Sequence, residues 1–474
     1  MITVEFLCAA TGGAVVRAKE KSFASVAIDG RTVAAKALWF AIRGARFDGH
    51  DFAKQAVERG AAGLVVERGR GRAVLKAIGA QARATVIEVD DTVRALGELG
   101  QAHRAALPEL KVVGITGSNG KTSTKDLVAA ILASHAGESA VWKTQGNFNN
   151  HLGLPLTLLG LTSAHRYAVI EMGMSARGEI AYLAKLAQPD VGAIVNIGPV
   201  HLAELGSLDE VAHAKGELLA ALSVRGTAIV PDGDERLARE AAATPAVRRM
   251  RFGTRSGVEV RLVRAATSGA GTDLVLRLPD GQRLETRLPL LGVHNGLNGA
   301  CAAGVAYALG VPSIAIAAGL ARARPEKHRS MAIEVGGRRV LDDCYNASPL
   351  SMAAALELLA TLKGTGRAVA VLGDMLELGP DEEQLHAEVG ERAAQAGIDF
   401  LILIGERARH IATGARRGGM APGSIAFATS SEEAAGWAVY HSRPGDWILV
   451  KGSRGMKLER VIDALQAHPQ SGAG

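Results

Sequence analysis

The stretch Gly114-Ile-Thr-Gly-Ser-Asn-Gly-Lys-Thr-Ser-Thr-Lys-Asp126 decides the reading of this chain. The apolar run KVVGIT predicts a strand, and the segment from Lys121 onward predicts a helix, so a glycine-rich loop joins a strand end to a helix start. Gly117 and Gly120 let the amides of Gly117, Ser118, Asn119 and Gly120 turn toward an anion, and the helix N-terminus adds its partial positive charge. Lys121 offers a cation to the β and γ oxygens of a nucleoside triphosphate. Thr122 offers a hydroxyl to Mg²⁺, and Ser123 follows it in the first turn. The general phosphate-loop pattern wants Gly where this chain has Ile115. The loop alone leaves kinases, switches, helicases and ligases open.

Outward from the loop, short apolar runs alternate with helical stretches: YAVIEM, VGAIVNIG, LDEVAHAKGELLAAL and TAIVPDG. This alternation predicts an α/β fold with a mostly parallel sheet. Residues 257–289 break it with VEVRLV, TDLVLRLPDG and RLETRLPL, an antiparallel annex with a turn at PDG. A polar segment with Pro325 marks a boundary, after which RAVAVLGD, DFLILIGE and DWILVKGS read as strands whose carboxyl ends carry Gly and polar residues. Three domains are expected: a small mixed α/β unit at 1–91, a central phosphate-loop domain with a mostly parallel sheet at 92–322, and a Rossmann-like α/β domain at 323–474. A chain of 474 residues fits that count at about 100–200 residues per domain.

Composition narrows the class. Mean hydropathy is slightly positive, yet no apolar run approaches the roughly 18–20 residues that span a bilayer. The N-terminus lacks the basic segment of a signal peptide, so a cytoplasmic location is expected. Cys8, Cys301 and Cys344 are scattered and odd in number, which predicts free thiols rather than a thiolate cluster. A net charge of +6 suits phosphorylated substrates; with aromatics at 4% and charges interspersed, stacking platforms for nucleic acid are not evident.

Several further residues suggest chemistry. Glu171 ends a buried strand, where a carboxylate needs a partner, and a metal is a natural one. His201 follows another strand end and is a candidate second metal contact, the alternative being a structural histidine. Lys215 falls on the apolar face marked by Leu208, Val211, Leu218 or Leu219, and Leu222, so burial would depress its pKa; the alternative is a lysine that reaches out to solvent. Asn295 and Asn298, after His294, can both donate and accept as adenine recognition requires, although Asn295 could instead cap the helix.

The TGSNGKT form of the loop resembles the Mur ligase superfamily, which also contains folylpolyglutamate synthases. The resemblance implies ATP and Mg²⁺ as cofactors, with Thr122, Glu171, His201 and Lys215 as metal contacts, the last as a carbamate. It implies Lys121, Lys215, His201 and Arg329 as catalytic groups, Arg329 on the γ-phosphate, Asp343 on the ribose, and HNxxN on the adenine. Two positions depart from the usual pattern: His328 stands where Gly usually precedes the arginine, and YNASP with Ser348 replaces YNANP.

ALWFAIRGARFDGHDF at 37–52, GNFNNHLGLPLTLL at 146–159, VAVLGDMLELG at 369–379 and LVKGSRGMKLE at 449–459 resemble the branch that adds a D-alanyl-D-alanine dipeptide. The DNPR motif of the neighbouring diamino-acid-adding branch is absent. This resemblance implies a monomeric ligase of peptidoglycan synthesis, acting on UDP-N-acetylmuramoyl-tripeptide and D-alanyl-D-alanine through an acyl phosphate. Asp29, Arg31, Asn147, Asn149, Asn150 and Asn346 become substrate contacts, the usual DSR being DGR with Gly30 here. By position alone, Asn346 and Ser348 are candidates for reading the dipeptide. Rival readings are a folylpolyglutamate synthase-like ligase and a non-ligase phosphate-loop ATPase switch.

Overall fold

A computed structural model describes residues 1–244, 248–324 and 326–467; Pro325, the expected boundary marker, and residues 468–474 lie outside them. The chain divides into two compact units, one of residues 1–114, 139–174 and 178–190, the other of residues 115–138, 175–177 and 191–474.

In the first unit a five-stranded sheet runs in the order Ala14–Arg17, Thr85–Val89, Ala61–Glu67, Ala37–Phe40, Ser25–Ala27. All neighbours are parallel except Ala14–Arg17 against Thr85–Val89. Every residue of Ala37–Phe40 is buried, as expected for a strand covered on both faces. Phe40, Val65 and Ile87 meet Ala95, Leu96 and Leu99 of helix Thr92–Ala105 in one core, at about 1.5–3 kcal/mol for each large side chain removed from water. Asp91 caps that helix by accepting from the Arg94 amide. Strands Val141–Lys143 and Tyr167–Glu171 pair in parallel in the same unit.

Strand Lys111–Thr116 passes into the second unit at Ile115 and delivers the glycine-rich loop. There Val191–Ile194, Thr227–Pro231, Arg248–Gly253 and Val260–Ser268 pair in parallel. Gly271–Arg277 and Arg283–Leu288 then continue antiparallel, so the expected annex is an extension of the parallel ladder. The turn expected at PDG joins its last two strands, with Gly281 at φ +83°.

The C-terminal part of this unit is a six-stranded sheet ordered Met331–Val335, Arg338–Asp342, Trp447–Lys451, Ala368–Gly373, Phe400–Ile404, Ile425–Ala428. Only its first pair is antiparallel. One face packs under helices Pro349–Lys363, Glu382–Gln395 and Arg409–Arg417, the other under Ser431–Tyr440 and Glu459–Ala467. Coverage of both faces explains the uninterrupted apolar runs FLILI and WILV, and sets the polar loops at the carboxyl edge. The cysteines are free, as expected, with Cys301 and Cys344 buried.

Candidate active site

Helix Lys121–Ala136 begins where the sequence places it, with Gly120 at φ +75° before it. A Cβ at Gly120 would lie 2.6 Å from Asn298 Oδ1, so glycine is required both for conformation and for the approach of that asparagine. The loop is held from its flanks by the end of strand Val191–Ile194. Asn196 accepts from the Asn119 amide at 2.8 Å and donates to the Asn119 carbonyl at 3.1 Å; Ser118 Oγ accepts from the Gly198 amide at 2.8 Å. Lys121 Nζ donates to the Gly117 and Ser118 carbonyls at 2.6 and 3.3 Å, which pins the ammonium over the loop. Thr122 is buried in the first turn and Ser123 half-buried beside it.

Asn295 and Asn298 are buried in helix Val293–Ala308. Asn295 is not the cap; Gly292 occupies that position, and Asn295 Nδ2 donates to the Leu291 carbonyl at 2.7 Å. Asn298 Nδ2 donates to Asn295 Oδ1 at 2.9 Å, so the two amides are fixed in orientation next to the loop.

Lys215 lies in helix Leu208–Ala220 and is 2% exposed, which excludes a lysine reaching to solvent. Burial first, and the Lys121 ammonium second, hold its amine well below the ordinary lysine range. His201 adopts a left-handed backbone at φ +55°, with Nδ1 3.1 Å from Glu377 Oε2. Burial lowers its pKa; Glu377 works against that, and Lys215 and Lys121 add to it.

Arg329 stacks on the Tyr345 ring, its guanidinium carbon 4.0 Å from the centroid, and faces Glu326 at 3.5 Å. Glu326 is also 3.2 Å from Lys125, a fully buried lysine of the loop helix. Asp343 accepts from Lys451 Nζ at 2.6 Å and from the Ser330 amide at 2.9 Å. Lys451 also donates to the Asn346 carbonyl at 2.9 Å, so Asn346 belongs to this cluster. Ser348 caps helix Pro349–Lys363 in a capping box with Ser351 and bonds Asn119; its hydroxyl is committed there, contrary to a dipeptide-reading role by position.

In the first unit Glu171 is 3% exposed. Asn149 Nδ2 donates to its Oε1 at 2.8 Å and its amide donates to Thr144 Oγ1 at 2.9 Å, while Oε2 is buried with no hydrogen-bond partner among the described residues. A buried, half-satisfied carboxylate fits a cation ligand, since the unpaired oxygen otherwise carries an uncompensated desolvation cost. Asn147 is exposed. Asn150 Oδ1 accepts from the Gly153 and Leu152 amides and so fixes the start of helix Gly153–Leu159. Asp29 and Arg31 form an exposed pair at 2.8 Å, and the hydrogen bonds from Arg31 lower the Asp29 pKa to about 2.

Sequence reading missed Asn196, Glu377, Lys451 and Lys125. Asn196 and Lys451 follow or end apolar runs, and Glu377 and Lys451 lie in the family-like segments 369–379 and 449–459; Lys125 lies in the loop stretch itself, with no spacing that marks it out. Among the described residues no helix is long and apolar enough to cross a membrane.

A phosphate loop on a mostly parallel sheet, with a buried depressed-pKa lysine and a Rossmann-like C-terminal domain, defines a nucleotide-dependent α/β enzyme of three domains. Sequence profiles agree: the Mur ligase family catalytic domain matches residues 22–104, the Mur ligase middle domain 115–306, and the Mur ligase glutamate ligase domain 328–454. UDP-N-acetylmuramoyl-tripeptide--D-alanyl-D-alanine ligase of Bacillus subtilis (strain 168) is 37% identical over 447 residues, 94% of each chain. The crystal structure of MurF from Acinetobacter baumannii superposes with a TM-score of 0.88 at 32% identity, over 98% of both chains. MurF ligase from Thermotoga maritima in complex with ADP gives 0.81 at 27% identity, over 95% of this chain and 98% of that one. The chain belongs to the Mur ligase family.

Proposed function

We propose that this chain joins D-alanyl-D-alanine to UDP-N-acetylmuramoyl-tripeptide at the expense of ATP, as a cytoplasmic, monomeric enzyme of peptidoglycan synthesis. The observation that carries this reading is similarity over nearly the whole length to ligases of that name, first domain included. A phosphate-loop switch leaves the matched first and third domains unexplained, and a folylpolyglutamate synthase leaves the segment 37–52 unexplained. The division at 1–91, 92–322 and 323–474 is part of the proposal, with the first domain taking the uridine nucleotide through Asp29 and Arg31.

A carboxylate is a poor electrophile because oxide is a poor leaving group. Its oxygen therefore attacks the γ-phosphorus of ATP, ADP departs, and an acyl phosphate forms. The dipeptide amine then attacks the acyl carbon, loses its proton, and phosphate leaves. In this reading the loop amides and Lys121 bind the phosphates, Arg329 faces the γ-phosphate, Asp343 the ribose, and Asn295 and Asn298 the adenine. Asn147, Asn149, Asn150 and Asn346 orient the acceptor substrates. Thr122, Glu171, His201 and Lys215 would hold Mg²⁺, which supplies charge neutralisation at the phosphoryl oxygens. Support comes from the orphaned Glu171 oxygen and from the depressed Lys215 amine. A neutral amine can add to carbon dioxide, releasing a proton and leaving a carbamate with two oxygens and one negative charge.

The test is phosphate release from ATP with Mg²⁺ and UDP-N-acetylmuramoyl-tripeptide, with D-alanyl-D-alanine added or omitted. Release that needs both acceptors, with a pentapeptide product by mass, is expected. Release indifferent to both sinks the reading.

A further inference from the structure

At the end of strand Arg338–Asp342, on the sheet of the C-terminal domain, three side chains of different donor type converge. His328 Nδ1 lies 2.8 Å from Asp342 Oδ2, and Cys344 Sγ lies 3.2 Å from Asp342 Oδ1. The nitrogen, sulfur and carboxylate oxygen all fall within 4.8 Å of one another. Asp342 is 5% exposed and Cys344 fully buried, whereas the His328 side chain is 30% exposed, so the cluster has one opening, through the imidazole. Among the described residues, no lysine or arginine lies within ion-pair distance of the Asp342 carboxylate, and the His328 imidazole is its side-chain nitrogen partner. His328 also holds φ +65°, a backbone region costly for any residue but glycine.

We propose that His328, Asp342 and Cys344 form a binding site for a borderline-soft divalent cation of the zinc class. The donor set decides the class. Mg²⁺ takes oxygen ligands and disfavours sulfur, while Zn²⁺ and Co²⁺ accept one nitrogen, one thiolate and one carboxylate with water as the fourth ligand. Metal–ligand bonds of about 2.0–2.3 Å in a tetrahedron put donors roughly 3.3–3.7 Å apart; the contacts of 2.8 and 3.2 Å go to the two separate Asp342 oxygens and all three donors lie within 4.8 Å of one another, so side-chain rotation has to bring them onto one cation. On binding, the Cys344 thiol gives its proton to solvent and His328 coordinates through unprotonated Nδ1.

The site acts as a clip. The Tyr345 amide donates to the His328 carbonyl at 3.1 Å and the Ser330 amide to Asp343 Oδ1 at 2.9 Å, so segment 328–330 already lies along segment 342–345. A cation shared by His328, Asp342 and Cys344 ties the two segments covalently at the position where Arg329 and Asp343 alternate with its ligands. None of these ligands is a proposed Mg²⁺ contact, so occupancy is independent of the reaction's own metal.

The experiment is a Co²⁺ titration of the full, tag-free, chelator-treated chain without nucleotide. Expected are one equivalent bound, a thiolate-to-cobalt charge-transfer band and visible bands of tetrahedral intensity, all unchanged by excess Mg²⁺. His328→Gly suits the φ and should fold normally by circular dichroism, yet lose the visible bands. Cys344→Ser should lose the charge-transfer band, and Cys8→Ser should keep both. One equivalent of Zn²⁺ should raise the melting temperature of the parent chain and leave that of His328→Gly unmoved. Absence of a thiolate band in the parent chain overturns the proposal, as does a spectrum unaltered in His328→Gly or one abolished by Cys8→Ser.

Discussion

Ser348 Oγ donates to Asn119 Oδ1 at 2.9 Å, so the capping residue of the first helix of the C-terminal domain touches the phosphate loop. Asn119 is in turn fixed on its backbone by Asn196, which makes the loop's shape depend on two elements distant in sequence.

Ser348→Ala removes a helix cap and the loop contact together. Loss of the cap costs about 0.5–2 kcal/mol, and loss of the loop hydrogen bond, at about 0.5–1.5 kcal/mol, corresponds to a rise of roughly 2- to 12-fold in KM for ATP. Thermal melts and steady-state kinetics read the two effects separately, and Ser348→Thr should recover most of both. An unchanged KM in the alanine variant would remove the loop contact from the account.

Gly120→Ala should weaken nucleotide binding at least tenfold while leaving the fold in place. The added Cβ meets Asn298 Oδ1 at 2.6 Å, and the left-handed backbone adds about 1–3 kcal/mol of strain. Titration with a fluorescent ATP analogue should show at least tenfold weaker binding. Pairing the change with Asn298→Ala should restore little, because the strain at φ +75° persists.

Glu171→Gln keeps an acceptor for Asn149 Nδ2 and removes the charge. The apparent Mg²⁺ requirement should rise about tenfold or more and kcat fall by about 100-fold, the size of a lost electrostatic contact in a reacting centre. The melting temperature should hold or rise, since a buried carboxylate oxygen without a partner is replaced by a neutral group. A lower melting temperature with an unchanged Mg²⁺ dependence would make Glu171 structural.

Lys215 gives a pH signature. Its amine is held below the ordinary 10.5 in the native state, while the unfolded chain stays protonated up to that value. Between the depressed pKa and 10.5 the unfolded state therefore binds more protons, and stability rises with pH across that window. Lys215→Met should melt above the parent chain near neutral pH in carbon dioxide-free buffer, with the gap closing as pH climbs toward 10.5, and should lack ligase activity. A gap independent of pH would refute the buried neutral amine.

Much of the architecture was legible in one dimension. Strand Lys111–Thr116, the loop and helix Lys121–Ala136 stood out because a strand-period run, two glycines and a helix start coincide within a few residues, and such signals are local. The apolar runs at Phe400–Ile404 and 447–450 announced parallel strands covered on both faces. The helical face of Lys215 was readable from leucine and valine spacing, and burial followed from it.

The sequence by itself determined the fold class, the phosphate loop and the family, because propensity, hydrophobic period and motif spacing act between near neighbours. Only the tertiary structure decided that Asn196 and Ser348 hold the loop, that Glu377 faces His201, that Lys451 takes Asp343, and that Asn150 Oδ1 accepts from the Leu152 and Gly153 amides. Each of these is a polar contact set by where strand ends and loops arrive, in most cases from distant parts of the chain. A hydrogen bond needs its two atoms within about 3 Å, and no periodicity in the sequence encodes that distance.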